Sequence, residues 1–289
     1  MRPNDARVIL GIASVQRRQG KMQLAAENME KVVELDPRSS EASYNAAQTF
    51  TLIRNYSEAE KFINKSLVLT PDAPTRYDYK ANLYLIRSGD IAKANAVLDE
   101  MASVSGDREE VRDTRVRLKI FEGKYDEALT QIQQSGEVAL NSQFGFVPKA
   151  QIKAQIYGFK KQPVSERAYY DSSRIIMEKK IKEQPDDSRY HSALGIAYAG
   201  LGLKEQAVNE GKHGVELMPL SKEAWRGTYR LWDIASIYVM IGENDSAIDT
   251  YEQLLSIPSE VSAAYLRVDP SCAPLRNLPR FQKLLADKK

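Results

Sequence analysis

One cysteine, two histidines and two tryptophans are all that 289 residues contain of these types, and each scarcity removes a class of function. Cys272 has no second thiol to pair with, so the fold has to rest on a buried core rather than a disulfide framework. His191 and His213 lack the partner at i+4 that a helical zinc site uses, and a packing role is expected for His191. No run approaches the ~18 consecutive apolar residues of a membrane helix, and Met1-Arg2-Pro3-Asn4-Asp5 has no apolar centre of the kind a secretory leader needs. Charge of one sign is missing too. The 41 basic and 39 acidic side chains leave a formal +2, too little for a general attraction to nucleic acid or an anionic membrane, so neither is expected as a partner. There is no Gly-x-Ser-x-Gly elbow and no phosphate-binding Gly-x-x-x-x-Gly-Lys, and Gly200-Leu-Gly202 reads as a turn. The acidic pairs Glu109-Glu110 and Asp186-Asp187 read as helix beginnings, where carboxylates suit the dipole. No catalytic residue, metal or cofactor is therefore expected.

What is present is a repeat. Gly20-Lys-Met-Gln-Leu-Ala25 recurs in outline as Asn55-Tyr56-Ser-Glu-Ala59, Gly89 to Ala94, Gly123 to Ala128, Gly202 to Ala207 and Gly242 to Ala247. The first four alanines are 34, 35 and 34 residues apart, a spacing that suits one helical hairpin per unit. The glycine or asparagine is expected to end a first helix at positive φ, and the alanine to let a second helix approach closely. Ala46, Ala47 and Phe50 mark one helical face, and Ala59, Ile63, Ser66 and Leu67 another. Pro37, Pro71 and Pro219 then close units. Gly211 and Gly214 fall inside a second helix, where each costs about 1 kcal/mol relative to alanine. A close helix contact is the expected reason.

This pattern resembles the tetratricopeptide repeat family, most fully at Leu194-Gly195, Tyr198, Gly202, Ala207 and Pro219. The resemblance implies an all-α, right-handed superhelical solenoid of helix hairpins over residues 1–265. The units run 6–39, 40–73, 74–107, 108–140, 141–187, 188–221 and 222–258, and a capping segment occupies 266–289. The pattern weakens near Val111 to Phe121 and from Phe146 to Gln184, and Ala207 to Ala247 spans 40 residues. The ending, with Pro279 opening a short helix and Phe281, Leu284 and Leu285 on its apolar face, is similar to those of bacterial arrays attached to signalling domains. Because the repeat starts almost at once, the chain reads as the C-terminal part of a longer protein. Cytoplasm is favoured, with the periplasm open if an upstream segment is missing.

The resemblance puts the first helix of each hairpin, helix A, on the concave side. There Asn45, Arg76, Lys80, Arg112 and Lys119 make a basic stripe suited to an acidic protein or peptide partner. Family members that grip acidic chaperone tails use five groups; Asn45, Arg76 and Lys80 fill three of the places, whereas Leu10 and Ser14 occupy the other two. Farther on, Trp225, Tyr229 and Trp232 follow i, i+4, i+7 spacing, and Tyr229 and Trp232 are expected as anchors for a partner. The expected function is a non-catalytic protein-interaction scaffold or regulatory module. Its rivals are a structural or oligomerisation module for an upstream signalling catalytic domain, and a helical-repeat nucleic-acid binder, which the near-neutral charge disfavours.

Overall fold

The computed structural model describes residues 5–106, 108–134 and 139–286. Among them sixteen α-helices follow in antiparallel pairs: α1 (Ala6–Arg18) with α2 (Met22–Leu35), α3 (Ser40–Leu52) with α4 (Tyr56–Leu69), α5 (Pro74–Ser88) with α6 (Ile91–Ser105), and α7 (Arg112–Phe121) with α8 (Tyr125–Gln134). A small hairpin of β1 (Ala139–Asn141) and β2 (Phe146–Pro148) precedes α9 (Lys149–Phe159) and α10 (Pro163–Glu183). Then come α11 (Ser188–Gly200) with α12 (Lys204–Leu217), α13 (Ala224–Ile241) with α14 (Asn244–Ser256), α15 (Ala263–Val268) and α16 (Pro279–Ala286). The fold is all-α, an array of helix hairpins ending in a capping helix. Residues 287–289 of the expected cap lie outside the described residues.

Local chemistry explains the pairs. Ser39, Asn55, Asp90 and Asp187 cap α3, α4, α6 and α11 by accepting from early backbone N–H groups. Gly20, Gly89, Gly123, Gly202 and Gly242 take positive φ between paired helices. In the second pair the left-handed residue is Arg54, at φ 59°, and not the expected Asn55. Counting five residues back from Ala59 also lands on Arg54, so the asparagine is one place out of register and serves as the N-cap instead. The alanines Ala25, Ala59, Ala94, Ala128, Ala207 and Ala247 are all fully buried.

The helices fall into two compact units. One comprises Met1–Leu118 with Ile257–Val268; the other comprises Lys119–Ser256 with Asp269–Lys289. In the first, α15 packs on α5, and the stretch before it is tied down by the Ser259 N–H donating to the Leu52 carbonyl at 3.1 Å. The Ser262 hydroxyl donates to the Ile86 carbonyl. Arg54 donates to the Ser259 hydroxyl and the Val261 carbonyl, both at 3.3 Å. These contacts account for an arginine where glycine is cheapest: left-handed backbone costs a non-glycine residue about 1–2 kcal/mol, offset here by the bonds of its side chain.

In the second unit Phe281 is fully buried and its ring centroid lies 6.3 Å from that of Tyr251 on α14. Arg280 bridges to Asp249 and Glu252 alongside. Gly211 and Gly214 are close-contact positions, as expected: an added Cβ would stand 2.7 Å from Ile237 Cδ1 and 2.9 Å from Ser192 Oγ respectively. The strands of the hairpin pair Leu140 with Val147.

Candidate partner-binding faces

On the first unit a polar ladder crosses the A helices α1, α3 and α5. Arg17, almost wholly buried, donates to Thr49 Oγ1 at 3.2 Å and to Asn45 Oδ1 at 3.1 Å. Asn45 in turn donates to Glu41 Oε1 at 2.8 Å, and Glu41 Oε2 accepts from Arg76 at 2.7 Å. The Arg76 guanidinium lies 4.0 Å over the Tyr44 ring, which meets Tyr79 edge-on at 5.4 Å. Burial, only partly countered by Arg76, pushes the Tyr44 hydroxyl up to about 12, so it stays protonated. Asn45 and Arg76 are thus brought into one network. Lys80 acts elsewhere, on the Glu60 carboxylate of α4. That group is held below its ordinary range first by the Tyr84 hydroxyl, then by Arg87, with Lys80 adding to the effect. Arg112 pairs with Glu109 at 3.2 Å, and Arg117 donates to Asn82 and to Thr114.

Arg17, Asn82 and Arg117 were not among the residues expected from sequence. The usable signal was their spacing: arginine or asparagine recurs on successive A helices, but only contact across helices shows that these side chains meet.

On the second unit Lys119 pairs with Glu127 at 2.9 Å and Glu122 at 3.8 Å. The aromatic stripe of α13 is met by the tip of the β-hairpin. Phe144 stacks on Tyr229, 4.7 Å between centroids with the planes 22° apart, and tilts against Trp225 at the same distance. Trp232 follows at 6.3 Å from Tyr229. Trp225 is buried, whereas Tyr229 and Trp232 are half-exposed. The tip is held by charge as well: Arg230 donates to the Phe144 carbonyl, and Arg189 to the Ser142 carbonyl at 2.5 Å.

Beside the tip lies a cavity of about 540 Å³ bordered by Phe144, Pro185, Asp187, Arg189, Arg226 and Arg230. Its Pro185 wall is fixed by His191, whose ring nitrogens lie 2.7 Å from the Pro185 carbonyl and 2.7 Å from Glu210. Two acceptors demand two donors, so the geometry selects the imidazolium. Burial opposes that charge, but the bonds to Glu210 and Pro185 outweigh it and raise the pKa above the ordinary 6.5. Burial also pushes the Cys272 thiol up, which leaves it a poor nucleophile. Among the described residues no group of three or more His, Cys, Asp or Glu is placed to hold a metal ion, and no helix is long and apolar enough to cross a membrane.

These features define a helical-repeat protein of the paired-hairpin class. Residues 10–74 match the family model for the tetratricopeptide repeat. Fold comparison agrees over the whole chain: a tetratricopeptide repeat protein from Parabacteroides merdae ATCC 43184 superposes with a TM-score of 0.52 at 15% identity, covering 97% of both chains. The APC/C hetero-tetramer Cut9-Hcn1 also gives 0.52, at 13% identity, over 98% of this chain and 56% of that one. At such identities the likeness shows the fold alone. No curated protein matches the chain by sequence. Residues 10–74 are thus a tetratricopeptide repeat segment, and the chain as a whole has the fold of tetratricopeptide repeat proteins.

Proposed function

We propose that this chain is a non-catalytic scaffold that receives an extended segment of a partner protein on its A helices, acidic groups being favoured along the first half of the array, from α3 to α7, and apolar groups in the second half, on α13. The observation that supports this reading is that stretches of the chain itself are already seated there, Phe144 in the aromatic slot of α13 and Ser259 on the end of α3. Asn45, Arg76, Lys80, Arg112 and Lys119 would orient carboxylates, and Tyr229 and Trp232 would supply the anchoring contact. The existing pairs do not bar this role. Glu41, which accepts from Arg76, is itself 61% exposed, so a partner's carboxylate has access to the place it holds.

A second reading takes these seats as permanent: residues 139–148 and 257–268 would fill the faces, and the chain would serve as a spacer or oligomerisation module. Photo-crosslinking groups decide between the two. Placed at Lys80 and Tyr229 they should capture protein partners, whereas at Val68 and Val164, exposed at 81% and 84% on α4 and α10, they should not. Arg76→Ala/Lys80→Ala and Trp232→Ala should then weaken the captured partners in calorimetry. Equal capture from both sets of positions would overturn the proposal, and capture from neither would favour the spacer.

A further inference from the structure

Arg230 is 2% exposed, yet its guanidinium is incompletely satisfied. One nitrogen, Nη2, bonds the Phe144 carbonyl and also meets Asp233 at 2.9 Å. Among the described residues Nε and Nη1 reach no acceptor. A buried donor without an acceptor costs about 1–3 kcal/mol, and a guanidinium edge is shaped for a carboxylate. One residue of the chain's own hairpin meets both this guanidinium and the aromatic stripe. Phe144 supplies both the ring that lies 4.7 Å from Tyr229 and Trp225 and the carbonyl on Arg230. Its hairpin has three paired positions, and two-stranded hairpins are marginally stable by themselves. The next residue is Gly145, where an added Cβ would have no atom within 4 Å. Its φ is not in the left-handed region, so a side chain fits there without strain. The hairpin therefore leaves empty the one position from which a side chain following the ring could extend.

We propose that this seat on α13 binds an extended partner segment in which an aromatic residue is followed directly by an aspartate or glutamate, with the chain's own hairpin tip as its resident competitor. This deepens the reading of the A helices as seats for extended chain and rests on it. The partner's ring takes the place of Phe144 between Tyr229 and Trp225. Its carbonyl takes over the bond to Arg230 Nη2, and the acidic side chain, in the place left open at Gly145, reaches the unsatisfied nitrogens of Arg230. The segment binds more tightly than the hairpin because its carboxylate adds charge-assisted bonds, with opposite charge on the acceptor, at nitrogens that the hairpin leaves without an acceptor. It also leaves the guanidinium fully paired.

The experiment uses the full chain and three synthetic peptides identical except at their centre, Phe-Asp, Phe-Asn and Ala-Asp. Fluorescence of the two tryptophans, Trp225 and Trp232, and calorimetry would report binding. Phe-Asp should bind about tenfold more tightly than either control, the scale of one charge-assisted bond. Phe144→Ala, which removes the competitor, should tighten Phe-Asp further. Gly145→Asp, which completes the hairpin as a ligand, should raise the melting temperature and weaken the peptide. Equal binding of Phe-Asp and Phe-Asn, or no binding even to Phe144→Ala, would overturn the proposal. Should the crosslinks from Tyr229 persist in that case, the broader reading stands and only this segment chemistry fails.

Discussion

Ala59 on α4 and Ala207 on α12 leave no side-chain surface to solvent. A leucine at either place would add three carbon atoms to a site already closed to solvent. Ala59→Leu or Ala207→Leu is expected to cost about 1–3 kcal/mol through overpacking, measurable by urea denaturation; unchanged midpoints would mean that the helices do not approach there. The fifth pair solves the same problem differently. Five residues after Lys161, which has φ 56°, stands Glu166 in place of the alanine, and Gly158 on α9 makes the room, since a Cβ there would come within 2.7 Å of Glu166 Oε1.

His191 gives a residue-scale prediction in pH. Its folded pKa is raised above the ordinary 6.5, so the folded state holds the proton more tightly than the unfolded one. The resulting stability is complete below the unfolded value and is lost as pH rises through the folded one. Glu210, Asp187 and the His213 ring, 4.5 Å away, are the titratable groups that face it. His191→Phe should therefore destabilise the chain more at pH about 5.5 than at about 8.5 when compared with the wild type at each pH. An equal loss at both values would show that His191 is held neutral.

At the scale of elements, α16 is the clearest case of a helix stabilised by what it covers. At eight residues it is too short to persist alone, and Phe281, Leu284 and Leu285 are all buried against the second unit. Phe281→Ala should cost about 3–5 kcal/mol, and removal of the residues after Asp269 should lower the melting temperature and promote aggregation. A truncated chain that stays monomeric with unchanged melting would refute the covering role. The β-hairpin shows the opposite limit. Its three-residue strands were too short to stand out from the helical pattern, and its position follows from contacts of Ser142, Phe144 and Phe146 with distant helices.

For the whole molecule, the distribution of charge predicts how binding responds to salt. Basic side chains of the A helices are half-buried and largely paired with nearby carboxylates, so their pull on a partner is that of surface charges, screened over about 8–10 Å at physiological ionic strength. Raising salt from about 0.05 to 0.5 M should slow association with an acidic partner, and Arg76→Ala/Lys80→Ala should remove much of that dependence. Trp232→Ala should instead raise the dissociation rate, with little change in the salt response. A salt-independent association would place recognition away from the basic face.

Sequence by itself determined the pairing of helices. Glycine at a left-handed turn, alanine at a close contact, proline after a helix and a 34-residue period are short-range constraints, legible because each acts within a few residues of its cause. Asn45 and Arg76 were legible on the same ground, as positions on a helix face. Only the tertiary structure decided what those faces hold. That Arg17 reaches Asn45, that Arg54 trades backbone strain for a grip on Ser259, and that Phe144 fills the slot of Tyr229 depend on residues far apart in the chain. Their meeting is set by the packing of whole helices, which no local pattern encodes.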